Sequence, residues 1–138
     1  MSLDSATAAL LALRPTVTAA PPAGPADAFL HGTLRPVLKL LNHRLLLLTA
    51  DFCRDYRLPL ASAAPADRQR LVLELLQRNS RWQQTAVGMV TGLLTDAEYD
   101  YFRQHRAEAS RRLLELLRQR IVSQLPELVR LLPPPDAA

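Results

Sequence analysis

Leucine recurs at intervals of three and four residues along most of this chain. Between residues 34 and 57 this spacing links six apolar side chains: Leu38, Leu41, Leu45, Leu48, Phe52 and Tyr56. Side chains spaced in this way share one face of an α-helix. Leucine and alanine, both strong helix formers, supply 29 and 20 of the 138 residues, whereas aromatic residues make up 5%. The sequence therefore predicts an all-α protein.

Prolines and capping residues mark where the predicted helices begin and end. A short helix is expected over 2–13, followed by a proline-rich linker over 14–28, because proline at that density is incompatible with a helix. The main helices are then expected over four ranges: about 33–57, 65–79, 81–94 and 96–124. The last of them opens on a capping box made by Thr95 and Glu98. We expect a compact bundle of four main helices.

The same boundaries divide the chain into three parts. Residues 1–28 form an N-terminal helix on a Pro/Ala-rich linker, 29–132 form the bundle domain, and 133–138 form a loose tail. The linker predicts that the first helix is an appendage to the bundle.

Charge and cysteine content indicate the compartment. The formal net charge is +4, but 13 acidic residues are mixed among 17 basic ones, so the basic balance is a weak sign of an anionic partner. The one cysteine, Cys53, has no partner for an internal disulfide, which fits a reducing compartment. Six charged residues interrupt the leucine-rich stretch 34–56, and the apolar run 6–13 follows no basic residue. We expect a cytoplasmic protein without a membrane segment.

Catalytic and metal-binding patterns are missing from the sequence. There is no nucleophile motif, no glycine-rich phosphate loop and no Glu-x-x-His pair. His105 and Glu108 are three residues apart, but neighbouring arginines would repel a cation, so we interpret them as a solvated helix face. We expect no catalytic, metal or cofactor-binding residues. An enzyme or cofactor binder that uses His43, Cys53 or Tyr101 is a third, weaker hypothesis, because a lone cysteine beside Phe52 is typical of a buried core.

Some local features carry their own predictions. Ser80 is expected to cap the helix that follows it, and His31 is expected in a loop. Gly88 and Gly92 either mark a close helix crossing or belong to a helix end. Arg106 falls in the buried stripe of the last long helix, where it needs a partner such as Asp51 or Asp55.

The cluster around Trp82 allows three interpretations. Arginines Arg78 and Arg81 lie within four residues of this tryptophan, together with polar amides. The tryptophan either packs between two helices with its N–H toward solvent, anchors a protein interface, or stacks on nucleic acid. A helix-turn-helix is excluded, since the second helix here is too apolar to read a major groove.

The second predicted helix is apolar almost all the way round, so one side of it is spare. This pattern favours a non-enzymatic protein-interaction or assembly module, which binds a protein partner or a second copy of itself. The candidate partner-binding residues are Leu40, Leu47, Arg78, Arg81 and Trp82. The alternative is a basic nucleic-acid-associated regulatory protein that contacts phosphates through the arginines of the last long helix.

Overall fold

The computed structural model of the chain describes residues 3–18 and 21–132, and its regular elements in those ranges are all helical. The predicted all-α class is confirmed. The elements are α1 (Leu3–Ala12), α2 (Pro25–Phe29), a π-helical segment (Leu30–Leu34), α3 (Arg35–Leu40), α4 (Asn42–Asp55), α5 (Pro65–Arg78), α6 (Ser80–Thr91), α7 (Asp96–Gln104), α8 (Arg106–Val122) and α9 (Leu125–Leu131). The predicted tail 133–138 lies outside the described residues. None of the described helices is long and apolar enough to cross a bilayer.

The chain forms two compact units. Unit 1 comprises Met1–Asn42 and Val87–Glu115, and unit 2 comprises His43–Ala86 and Leu116–Ala138. Buried apolar side chains of unit 1 include Phe29, Leu34, Val37, Leu38, Val90, Phe102 and Leu113. Those of unit 2 include Leu45, Leu46, Cys53, Leu60, Leu76, Trp82, Leu117 and Ile121. The boundaries expected at residues 28 and 132 stay a prediction.

The helix predicted over 33–57 is interrupted at Leu41, where the backbone leaves helical geometry at φ −88° and ψ 3°. The buried face of α4 differs in part from the predicted stripe, because Leu48 and Phe52 are only partly buried. Its buried residues are Leu45, Leu46, Thr49, Ala50 and Cys53. Tyr56, expected on the buried stripe, is half exposed. Four main helices was therefore too low a count.

The helix predicted over 96–124 is interrupted at His105, with φ −118° and ψ 33°. Arg106 begins the new helix and is exposed, so its expected place in a buried stripe was wrong. Its expected partners, Asp51 and Asp55, are also exposed and lie beside Arg54. Other residues of the predicted stripe on both sides of the interruption are buried, namely Phe102, Ala109, Leu113, Leu117 and Ile121. Because Arg106 itself is exposed at the start of α8, its guanidinium needs no buried partner.

The end of the predicted linker is helical. Pro25 occupies the first turn of α2, where its missing N–H has no helical partner to lose. His31, expected in a loop, lies in the π-helical segment and its Nε2 is 3.1 Å from Asp27 Oδ1. This widened turn ends two residues before Pro36, whose ring has no N–H for the carbonyl four residues earlier.

The two glycines near the end of α6 do not mark a close helix crossing. A Cβ added at Gly88 would have no atom within 4 Å, and one at Gly92 would meet the Gly88 carbonyl oxygen at 3.2 Å. Gly92 directly follows Thr91, the last residue of α6. The helix-end interpretation therefore fits Gly92, and Gly88 occupies an exposed helical position.

Candidate functional site

An open groove of about 560 Å³ lies in unit 2, where α4 ends and α5 meets α6. Its size falls within the range of roughly 300–1,000 Å³ that is typical of binding sites. Nine residues line it: Tyr56, Leu58, Leu71, Glu74, Leu75, Arg78, Asn79, Ser80 and Arg81. Leucine side chains form its apolar part, and charged side chains supply the polar part. We call this site the groove.

The end of α4 supplies one wall of the groove. Leu58 N donates to Cys53 O at 2.9 Å and Arg57 N donates to Arg54 O at 3.0 Å, which is the hydrogen-bond pattern of a Schellman motif. The motif requires a left-handed residue, and Arg57 adopts it with φ 55°. Glycine is the usual residue there because it has no Cβ to clash. An exposed arginine therefore stands at a strained position between two lining residues, Tyr56 and Leu58.

The corner between α5 and α6 is one residue long and is fixed by side-chain hydrogen bonds. Asn79 Oδ1 accepts a bond from Trp82 N at 2.9 Å, so Asn79 caps α6 and the prediction of Ser80 as the cap was wrong. Gln83 Nε2 donates to the carbonyl oxygens of Leu76 and Gln77, both at 3.0 Å. These bonds satisfy backbone groups at both helix ends and hold the corner that carries Arg78 and Arg81.

Arg81 is held against an aromatic pair. The rings of Phe52 and Tyr56 stack with centroids 6.4 Å apart and planes at 7°. The guanidinium carbon of Arg81 lies 5.9 Å from the Phe52 ring centroid, within cation–π range. Among the described residues, no carboxylate lies within 4.0 Å of the Arg81 side chain. The charge of Arg81 is thus positioned and unneutralised.

Trp82 is part of the core of unit 2 and has no exposed surface. Its indole Nε1 donates to Thr49 Oγ1 at 3.1 Å, and that hydroxyl donates to Leu45 O at 2.8 Å. The indole N–H therefore points to a buried acceptor, whereas the packing interpretation placed it toward solvent. Burial supports packing as the role of this side chain.

The other sequence-predicted partner residues lie in different places. Arg78 and Arg81 line the groove, and the Arg78 side chain is 80% exposed while its Nη1 lies 3.6 Å from Glu74 Oε1. Leu40, the last residue of α3, is 37% exposed, and Leu47 is half-buried in α4. The structure thus brings two of the five predicted residues together in the groove.

Unit 1 contains a polar cluster centred on Glu98. Arg14 makes a two-pronged ion pair with this carboxylate, from Nη2 to Oε1 at 2.5 Å and from Nη1 to Oε2 at 2.6 Å. Thr33 Oγ1 and Thr95 N also donate to it, and Glu98 N donates to Thr95 Oγ1, which confirms the predicted capping box. Burial would raise the pKa of Glu98, but these bonds outweigh it and the pKa lies below its ordinary value. With its oxygens occupied by these donors, the carboxylate has a structural role.

A small cavity of about 10 Å³ lies between α2 and the start of α8 in unit 1, room for about one water molecule. Tyr101 lines it. The Tyr101 ring stacks on that of His105 with centroids 4.1 Å apart, and it meets the Phe29 ring in a tilted arrangement with centroids 4.6 Å apart. His105 Nδ1 is 3.0 Å from Tyr101 O, and Glu108 Oε1 is 3.3 Å from Arg112 Nε. These contacts tie the polar side chains to their own helices.

The residues of the enzyme hypothesis have different surroundings. Cys53 is fully buried, as predicted, and desolvation raises the pKa of its thiol to about 12, so the thiol stays protonated. His43 is exposed on α4. Within 5–18 and 21–132, no three His, Cys, Asp or Glu side chains are placed to hold a metal ion.

Sequence reasoning missed several groove residues. Tyr56 was assigned to a buried stripe, and Leu58, Leu71 and Leu75 were given no place in a binding site. The groove joins the ends of three helices, so its members are separated by up to about two dozen residues in sequence. Helical periodicity reports one face of one helix and cannot register such a site.

Comparison with models of known protein families, with curated proteins and with solved structures found no match for this chain.

Proposed function

We propose that this chain is a non-enzymatic protein-interaction module whose groove takes an apolar segment of a partner protein. The observation that supports the proposal is the groove itself, an open concave surface that combines leucine side chains with exposed arginines. Amphipathic helices bind proteins by laying apolar side chains into grooves of this kind. A small molecule is a poorer match, because binding sites for small molecules bury most of the ligand surface and this groove is open to solvent.

The nucleic-acid alternative draws less support. Four of the arginines between Arg103 and Arg130 are paired with carboxylates on their own helices: Arg103, Arg111, Arg112 and Arg130. Such pairs are typical of a solvated helix face. A reducing compartment agrees with the single buried thiol, so we expect the module to act in the cytoplasm.

The experiment is selection of a displayed random-peptide library on the immobilised folded chain, followed by affinity measurement on variants of α5. Leu71 and Leu73 are both half-buried on this helix, but only Leu71 lines the groove. We expect Leu71→Glu to abolish binding of the selected peptides and Leu73→Glu to preserve it. Circular dichroism of both variants checks that they remain folded. Peptides that bind both variants equally, or no enrichment of any peptide, would contradict the proposal.

A further inference from the structure

The charged side chains around the groove are predominantly basic. Arg78 and Arg81 line the groove, and Glu74 is the carboxylate among the lining residues. Arg57 does not itself line it but lies in the sequence between the lining residues Tyr56 and Leu58. Neither Arg57 nor Arg81 has a carboxylate within 4.0 Å in the described part of the chain. We call Arg57, Arg78 and Arg81 the arginine rim. The positive charge of these arginines exceeds the negative charge of Glu74, so a net positive charge is available to a ligand.

The guanidinium of Arg81 and the backbone of Arg57 are held in place before any ligand arrives. The aromatic ring of Phe52 supports the guanidinium of Arg81. The Schellman motif fixes the backbone of Arg57 at a φ that glycine adopts at lower energy. Strained residues of this kind concentrate at binding sites, where the surrounding structure maintains them. Preorganised donors lose less conformational entropy when they bind.

The shape of the site decides between the anions it could bind. Carboxylates pair with guanidinium groups through two parallel hydrogen bonds. Phosphates do so as well, but the lining leucines Leu58, Leu71 and Leu75 suit aliphatic side chains, and Glu74 would repel a phosphate backbone. Apolar residues flanked by carboxylates complement both parts of the groove. A peptide segment supplies this combination and a nucleic acid does not.

We propose that the groove selects an acidic amphipathic segment, whose apolar side chains contact the leucines and whose Asp or Glu side chains pair with the arginine rim. This inference rests on the proposed function and specifies its partner. The rim determines which segment binds, and the leucines supply the apolar contact that any segment requires.

The test compares peptides selected on the wild-type chain with peptides selected on a variant carrying Arg57→Gln, Arg78→Gln and Arg81→Gln. The wild-type pool is expected to be enriched in Asp and Glu next to apolar residues, and the variant pool is expected to lose that enrichment. For one acidic peptide from the first pool, the triple variant should weaken affinity about tenfold or more. Raising salt from about 0.1 M to about 1 M should weaken wild-type binding as well, because the screening length falls from about 10 Å to about 3 Å.

Matched variants separate charge from fold. Arg70→Gln removes an exposed arginine of α5 that does not line the groove and should leave affinity unchanged. Arg57→Gly should raise the urea midpoint, since it relieves the left-handed strain, and should still weaken the acidic peptide. If Arg57 had only a structural role, Arg57→Gly would raise the urea midpoint without weakening the acidic peptide.

Each other outcome overturns the inference in a recognisable way. Peptides that need Leu71 but carry no acidic residues would leave the proposed function standing and refute the acidic partner. If neither the wild-type chain nor the triple variant enriched any peptide, both the proposed function and the acidic partner would be refuted. Displacement of the peptide by a single-stranded oligonucleotide, or a dimer in analytical ultracentrifugation that Leu71→Glu dissociates, would assign the groove to a different occupant.

Discussion

The indole of Trp82 depends on a single neighbour for its hydrogen bond. Thr49 is fully buried, so replacing it with valine leaves the Trp82 N–H without an acceptor. We expect Thr49→Val to lower the free energy of unfolding by about 1–3 kcal/mol, because a buried donor would lose its partner. Urea unfolding followed by circular dichroism measures the loss.

A second variant isolates that hydrogen bond. In a Trp82→Phe background there is no N–H to satisfy, and Thr49→Val should then change stability much less. An equal loss in both backgrounds would show that the threonine acts through packing rather than through the indole.

The negative charge of Glu98 is expected to stabilise the fold through its ion pair with Arg14. Glutamine also serves at the third position of a capping box, so Glu98→Gln removes the ion pair with Arg14 and keeps the cap. The Arg14 side chain is 8% exposed and that of Glu98 is 18% exposed. We expect a loss of about 1–3 kcal/mol near neutral pH, because Arg14 would lose a charged partner in a mostly buried setting. Urea midpoints of the two proteins measure it.

The same substitution has a pH signature. Because the pKa of Glu98 is lower in the folded protein, its contribution to stability is present above the ordinary value of 4.5 and is lost as the pH falls through the folded pKa. The gap between wild type and Glu98→Gln should therefore narrow below pH 4.5. A gap that stays constant in acid would contradict the role of the charge.

Interactions between residues close together in the sequence could be predicted, whereas interactions between residues far apart in the sequence could not. Thr95 and Glu98 are three residues apart, and the capping box they form was predicted. Arg14, which is 84 positions from Glu98, joins the same cluster through the tertiary fold. No spacing rule connects residues at that distance in sequence.

Among the elements, α6 carries a glycine with no structural requirement. Gly88 is exposed, and an added Cβ would contact nothing within 4 Å. We expect Gly88→Ala to stabilise the protein by about 0.5–1 kcal/mol, because alanine loses less backbone entropy in a helix. Thermal unfolding provides the measurement, with Gly92→Ala as the control, since its Cβ would meet a carbonyl oxygen at 3.2 Å. If Gly88→Ala lowered the melting temperature, the open surroundings described for this position would be contradicted.

Cys53 lies on the buried face of α4, so we expect its thiol to react slowly in the folded protein. Cys53 is fully buried, and its pKa near 12 keeps the thiol neutral in mildly alkaline solution. Because this pKa is raised, the stability linked to the thiol is present below its ordinary value of 9.0 and declines as the pH rises toward 12. Below pH 9 a thiol reagent should label the folded protein more than about a thousandfold slower than the denatured one. Rapid labelling of the folded protein would contradict this burial.

Helix identity was predictable from leucine spacing, but helix continuity was not. The interruptions at Leu41 and His105 contain neither proline nor glycine, which are the residues that mark helix ends in a sequence. Arg106 is the first residue of α8 and Tyr56 follows the last residue of α4, so both side chains lie at helix ends, where they are exposed. A stripe drawn through a helix end therefore includes exposed residues among the buried ones.

The amino-acid composition predicted that the whole molecule is all-α, but it did not indicate where the groove lies. Arg78 and Arg81 were predicted as partner residues because they cluster in sequence. Their neighbours in the groove come from the end of α4 and from α5, and only folding brings them together. The net charge of +4 lies in unit 2, since unit 1 contains equal numbers of basic and acidic residues. Within unit 2, the local excess at the arginine rim is what we expect a partner to recognise.

The central claim, that the groove is where this chain meets its partner, is tested most directly by amide chemical shifts. A peptide selected on the folded chain is titrated into isotope-labelled protein. We predict that the shift changes concentrate at residues 56–58 and 71–81, while the amides of Arg14 and Glu98 stay unmoved. Changes that concentrate outside those ranges would contradict the claim.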